Sequence, residues 1–403
     1  MRDHAVAGDA TPLGGHPHFG ASERRIGVII NFVRRNRFTT TAAAIMILSA
    51  CSSTPDEPSF NPTPRPTRPG QVVIIAGDHN INRDPRDGEY ALQTSAYTNG
   101  GLAAAGDGRI MFEVVHGREG RIARLEHNGR ITLLKLGNVP SQLAVHGNDL
   151  WLMSAYSGFD LTKASLATLG QEVQLAWDSA LGEKLSVVTD SGRPASKTKR
   201  EEIAESLQDA RFNLRADGTP IIARKDGELF EVPEIGTIRR WHPEGYDKAL
   251  AKVSAGTTFD TTYVASDSRT GEMAILGHQG IIWIPRTGAA SGLRFPQSAR
   301  SLPPWTVAAQ LGDGSTLLLG GVNATHRTPR PVRASKDKGL TLLSWGEARR
   351  CDEFDGSLAT IGSAFPGGIA RLPDGSLVIS DKMCGRVYSF RMPDDPAGRP
   401  YPA

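Results

Sequence analysis

Pro366-Gly-Gly-Ile-Ala-Arg-Leu-Pro-Asp-Gly-Ser-Leu-Val-Ile-Ser-Asp381 carries two short apolar runs on either side of Asp374-Gly375. Short runs rich in apolar and β-branched residues, bounded by turn residues, read as strands. Asp-Gly tolerates the positive φ that a two-residue hairpin requires. Gly385-Arg-Val-Tyr-Ser-Phe390 follows as a third strand. The stretch therefore predicts an antiparallel meander.

The same pattern recurs upstream. Strands around Leu102, Arg109–Val115, Arg121–Leu125 and Arg130–Leu136 are punctuated by Asp107-Gly108 and Asn128-Gly129. Further units follow at Ser141–Ser154, Arg211–Val232, Thr261–Ile284 and Trp305–Leu319, with turns at Asn148-Asp149, Asp217-Gly218, Asp226-Gly227 and Asp313-Gly314. A four-stranded meander of about 40 residues is one propeller blade. The spacing predicts an all-β, six-bladed β-propeller of four-stranded antiparallel blades over residues 71–403. Uneven spacing also admits five or seven blades. Val72–Ala76 precedes the first unit and is expected to join the last blade, which removes two exposed sheet edges. Lys199–Ala210 has helical spacing, with Ile203 and Leu207 on one side, and predicts a short helix between the second and third blades.

Pro366–Asp381 with Gly385–Phe390 resembles an NHL repeat, as does Gly100–Leu134. Ile74-Ile-Ala-Gly77, followed by Asp87-Gly88 and Ala91, is similar to the stretch that often precedes the first blade in that family. The resemblance implies a six-bladed propeller used mainly for binding and scaffolding; it names no reaction. The architecture is also similar to that of calcium-dependent lactonases and gluconolactonase-like hydrolases. Those hold one cation at the channel mouth with Glu, Asn and Asp, because a hard cation takes oxygen ligands. Glu113, Asp267, Asn323 and Asp381 are the acidic or amide residues here that stand beside inner-strand ends. A cation among them would polarise a lactone carbonyl and activate water. Asp381 has a second reading, in which it ties down the next turn by hydrogen bonds to backbone. A quinoprotein-like sugar dehydrogenase would need His, Arg and Lys gathered around a planar cofactor, and the sequence shows no such constellation.

The N-terminus decides location. Arg34, Arg35 and Arg37 precede an apolar run, Thr39–Ala50, that ends in Leu48-Ser49-Ala50-Cys51. Basic residues, a short apolar core and a small-residue cleavage site make a secretory signal. The core is shorter than the ~20 residues a membrane helix needs. Leu48–Cys51 resembles the lipobox of bacterial lipoproteins, which implies cleavage before Cys51 and a lipid on its sulfur. Residues 1–33 are accounted for by a start site set too far upstream. Arg34-Arg35 loosely matches a twin-arginine signal, with Phe38 one position late. Thus 1–51 reads as N-terminal extension and signal peptide, and 52–70 as a Pro-rich tether. Pro55, Pro58, Pro62, Pro64, Pro66 and Pro69 prevent helix and hold that tether extended. The expected location is the extracytoplasmic side of the cell membrane, with the lipid as membrane partner and a cell-envelope protein, peptide or glycan as ligand.

The formal net charge of +3 over 403 residues has no basic stripe, which argues against nucleic acid. With Cys51 lipidated, Cys351 and Cys384 form an even pair in an oxidising compartment, and a disulfide is expected. No Cys/His cluster suggests zinc, no Gly-x-Ser-x-Gly elbow suggests an esterase, and no phosphate loop is present. His116, His127, His146, His242, His278 and His326 are scattered and read as solvated or capping residues. Trp151 and Trp283 lie inside apolar strands and should be core. Trp241 and Trp305 stand at loop edges and are read either as partly buried against a neighbouring blade or as platforms for stacking on a sugar or peptide. Arg327–Arg333 reads as a solvated basic loop, with contact to anionic surface polymer as its functional alternative. No cofactor is expected unless the channel holds calcium. Cys51→Ser should release the protein to the medium, as followed by cell fractionation; a variant still held in the membrane would overturn the lipid anchor.

Overall fold

The computed structural model describes residues 62–400 apart from connecting stretches, the longest of which are 179–185, 321–330 and 344–350. Cys51, Asn323 and His326 lie outside the described residues. Six sheets, each built on four antiparallel strands and two of them extended to five strands, follow one another along the chain. Their inner strands begin at Leu102, Gln142, Arg211, Thr261, Trp305 and Pro366, one for each of blades 1 to 6. Each inner strand neighbours the next, and that of blade 6 returns to that of blade 1, so the sheets form a closed ring. The fold is a six-bladed β-propeller.

Closure uses the strand read from the sequence. Val72–Ala76 is the outermost strand of blade 6 and pairs antiparallel with Arg386–Phe390, Val72 opposite Phe390. The pairing ends at Gly77, whose φ of +86° and absent side chain let the chain pass Gly385; a Cβ there would sit 2.0 Å from the Gly385 carbonyl oxygen. The C-terminal pair Arg399–Pro400 adds to Gly339–Leu342 at the outer edge of blade 5. Ser186–Val188 adds in parallel to Thr237–Arg240 at the edge of blade 3.

The core is divided among the interfaces between blades. Val72, Leu317, Ile379 and Tyr388 pack between blades 5 and 6; Trp151, Phe212 and Phe230 pack between blades 2 and 3. Each strand of such a blade has both faces covered, which explains the runs of five consecutive buried residues in Met273–Gly277 and Thr316–Gly320. Trp283 is buried as expected, and its indole donates to the Thr316 hydroxyl at 2.9 Å.

The hairpins repeat one device. Asp107, Asp217, Asp226, Asp313 and Asp374 each accept the backbone N–H two residues on, at 2.9–3.1 Å. At Asp217 the Arg215 guanidinium, donating at 2.6 Å, holds the carboxyl well below the usual range. At Asp374 burial pushes the carboxyl up, but hydrogen bonds from the Ser376 hydroxyl and backbone outweigh it.

Several outer elements escape the sequence pattern. Blade 2 gains Asp160–Ser165 and Val173–Asp178, and blade 4 gains Ser291–Arg294. The end of the basic excursion is strand as well: Val332 and Arg333 belong to Val332–Ser335, and Arg333 bonds Asp313 and the Ser315 hydroxyl. Glu202, Ile203, Glu205 and Ser206 are helical within the predicted helix, and Ile203 and Leu207 are buried against Phe212. A second helix, Tyr246–Ser254, links blades 3 and 4 and buries Tyr246, Ala249 and Val253. Their i, i+3, i+7 spacing is that of one helix face.

Pro62–Gly70 is extended, as its prolines dictate, but it lies against the domain. Thr63 donates its N–H to the His127 carbonyl and its hydroxyl to the Glu126 carbonyl, and Arg65 donates to the Gly108 carbonyl at 2.7 Å.

Cys351 and Cys384 are joined by a disulfide with 5.5 Å between Cα atoms. It ties the connection entering blade 6 to the turn between that blade's second and third strands, 33 residues on. Closing a loop of that size stabilises by about 3–4 kcal/mol in the chain-entropy account. The Cys351→Ser/Cys384→Ser variant should lose about that much in urea unfolding; a loss below about 1 kcal/mol would show that the bridge adds nothing to ring closure.

Candidate functional site

The two faces of the ring differ. On the hairpin face, inner strands end in tight turns. On the entry face, inner strands begin after long connections, which carry the helices Tyr246–Ser254 and Gln297–Arg300 and the disulfide. Connections free of the ladder can vary without cost to the core, so binding groups collect there.

A cavity of about 660 Å³ opens at the entry face, where the inner strands start. Its wall ties one inner strand to the next. Gln142 of blade 2 accepts the Phe212 N–H of blade 3 at 2.8 Å. Arg211 Nε donates to the Thr262 carbonyl of blade 4 at 3.1 Å, and the Thr262 hydroxyl donates to the Trp305 carbonyl of blade 5 at 2.9 Å. Inner strands of neighbouring blades splay and share no ladder, so side chains supply these links and satisfy backbone groups. Thr306, Lys225, Lys382, Asp209 and Asp260 add charged and polar groups to the wall.

A second cavity of about 410 Å³ opens at the hairpin face. Leu102, Leu143, Asn213 and Tyr263 line both, so they form the waist of the channel. Burial pushes the Tyr263 phenol up to about 12, against a hydrogen bond from the Ile369 backbone of blade 6. It is therefore a neutral phenol where the two cavities adjoin. Asn213 is fixed beside it, donating to the Val264 carbonyl at 2.9 Å and accepting from Ser266 at 2.8 Å.

The proposed cation ligands fall in different places. Asp267 lies on the hairpin face, where it accepts Arg371 Nη1 at 2.6 Å and the Arg269 N–H at 2.9 Å. That ion pair reaches from blade 4 to blade 6, and Gly312 of blade 5 makes room for it: a Cβ there would meet Arg371 Nη1 at 2.1 Å. Asp381 is fully buried at the end of the second strand of blade 6, and its Oδ1 accepts the Cys384 N–H at 3.2 Å, the turn-tying bond of its second reading. Glu113 is fully buried and accepts the Gly101 N–H at 3.4 Å. Its charge also reaches Lys382, whose ammonium is lowered by burial and raised in part by Glu113. Among the described residues no three His, Cys, Asp or Glu side chains converge as a metal set.

The aromatic candidates are spent on packing. Trp305 is 3% exposed and meets Phe295 edge-on at 4.8 Å, inside the interface of blades 4 and 5. It stands in the inner strand of blade 5, buried against the neighbouring blade as one of its two readings had it, and not at an open loop edge where it could serve as a stacking platform. Trp241 is half-buried against the interface of blades 3 and 4, with Arg215 over its ring at 6.0 Å. His278 bonds the Arg300 carbonyl at 3.0 Å, and His146 packs against Gly218. Sequence reasoning missed Arg211, Lys382, Thr262 and Tyr263. Their one local signal was position, at the first residues of an inner strand or just after a second strand.

No protein-family model matches the chain, and no curated relative does. Among solved structures, a structural-genomics protein of unknown function from Bacteroides thetaiotaomicron is similar, with a TM-score of 0.51 and 11% identity over 79% of this chain and 75% of that one. A gluconolactonase from Xanthomonas campestris aligns with a TM-score of 0.46 and 12% identity over 81% and 99% of the two chains. The likeness at this identity is one of fold.

The Asp267–Arg371 pair is buried enough for its loss to leave an uncompensated charge. Arg371→Met should cost about 3 kcal/mol in urea unfolding, and Asp267→Asn/Arg371→Met together less than the two single costs added. Strict additivity would mean that the pair does not couple blades 4 and 6.

Proposed function

We propose that the protein is an exported, lipid-anchored binding domain that takes its ligand at the entry-face cavity of the propeller. The observation that carries this reading is the asymmetry of the two faces: the longer connections, the helices and the larger polar cavity share one face. The cavity wall is held by hydrogen bonds between blades, so its donors and acceptors are set in place before any ligand arrives, which lowers the ordering cost of binding. The separation of Asp267 from Glu113 and Asp381 favours binding over a lactonase-type cation site.

The anchor fits this geometry. A chain attached to the membrane at Cys51 enters the propeller through Pro62–Gly70, which Thr63 and Arg65 fasten to the hairpins of blade 1. The cavity opens on the face opposite those hairpins. Among the described residues no helix is long and apolar enough to cross a membrane.

Thr306→Trp fills the cavity from the blade 5 wall. Glycan and peptide arrays probed with the wild-type chain should give ligands whose binding the variant loses, with an unchanged melting temperature. Ligands retained by Thr306→Trp would place recognition elsewhere. A rise in melting temperature on adding calcium, lost in Glu113→Gln, would restore the hydrolase reading.

A further inference from the structure

The cavity wall carries two half-buried cations that face one another across the ring. Arg211 starts the inner strand of blade 3, and Lys382 follows the second strand of blade 6; in a ring of six these blades are diametrically opposed. The Arg211 guanidinium donates to carbonyls alone: Thr262 at 3.1 Å from Nε, and Asp209 and Ala210 at 3.1 and 3.0 Å from Nη1. Among the described residues no carboxylate oxygen lies within ion-pair distance of it, and none lies within that distance of the Lys382 ammonium. Burial lowers the pKa of both groups, the sign of a charge held without full compensation.

The rest of the wall is nearly balanced. Lys225 stands on the same side as Asp209 and Asp260, whose charges act on Arg211 through space. Glu113 acts on Lys382 from within blade 1. The remaining polar groups are hydroxyls and amides, which suit a hydroxylated ligand.

Resting on the binding role proposed above, we infer that the entry-face cavity recognises an acidic glycan, with a uronic-acid carboxylate held by Arg211 and Lys382 from opposite walls. A carboxylate there replaces the lost hydration of both cations and accepts charge-assisted hydrogen bonds from them. Volume is sufficient for more than one sugar ring at about 660 Å³.

The test is calorimetric titration of the wild-type chain with trigalacturonate and with its methyl ester, which keeps the shape and removes the charge. The acidic trimer should bind at least about tenfold more tightly, with affinity falling as salt rises. Lys382→Gln should remove about tenfold of that preference, and because Lys382 makes no hydrogen bond among the described residues, the variant should keep its melting temperature. Arg211→Gln should do the same if it folds. Equal affinity for the two trimers, or a preference untouched by Lys382→Gln, overturns the acidic-glycan assignment while leaving the cavity as a binding site. Binding of neither trimer, with an acidic peptide captured in the Thr306-sensitive manner, also overturns it. Loss of Thr306 sensitivity instead overturns the binding site itself.

Discussion

Ring closure is the constraint on which the remaining structure depends. The ring holds only if its two ends are tied, and here the tie is the pairing of Val72–Ala76, from the start of the described chain, with Arg386–Phe390 of the last blade. The strand that follows the N-terminal segment completes the blade made last. Separation of that pair would expose two sheet edges and the apolar layer of Val72, Ile75 and Phe390. Gly77 permits the close approach to Gly385, and the Cys351–Cys384 bridge fastens the same blade from its other end. Backbone pairing, apolar burial and a covalent link thus converge on blade 6.

The interfaces between blades answer a different need. Inner strands diverge from one another, so ladder hydrogen bonds cannot join them. Apolar side chains fill the wedge further out, as Trp305 and Phe295 do between blades 4 and 5. Near the axis there is too little room for such packing, and single polar side chains bridge to the next blade's carbonyl or N–H. Gln142, Arg211, Asn213 and Thr262 all serve in this way. The same residues become the cavity wall. Stability of the ring and presentation of binding groups are therefore one set of contacts, which explains why the wall is rigid and polar together.

Tyr263 stands at the waist of the channel, where an entry-face cavity adjoins a hairpin-face cavity with different electrostatics. On the hairpin side Asp267 and Arg371 form an ion pair, whereas on the entry side carboxylates act on Arg211 and Lys382 only through space. Burial without compensation marks functional sites more often than structural ones.

Local sequence determined the strands, the hairpins, the closing strand and the cysteine pair. Asp-Gly and Asn-Gly turns demand positive φ, and apolar runs of strand length follow them, so each hairpin is legible within a few residues. The same local reading placed Trp283 in the core. It did not find Ser291–Arg294 or Asp160–Ser165, because outer strands are half-exposed and lose the apolar run that marks the inner ones. Nor did it separate Asp267 from Glu113 and Asp381, or decide for Trp305 between burial against a neighbouring blade and an open stacking platform. Those outcomes depend on which face a strand end reaches and on which blade stands opposite. Arg211 and Lys382 meet across the cavity only because six blades close at a fixed radial angle. Hairpin chemistry is encoded in neighbours along the chain; the composition of the cavity is set by the ring, and only the tertiary structure decided it.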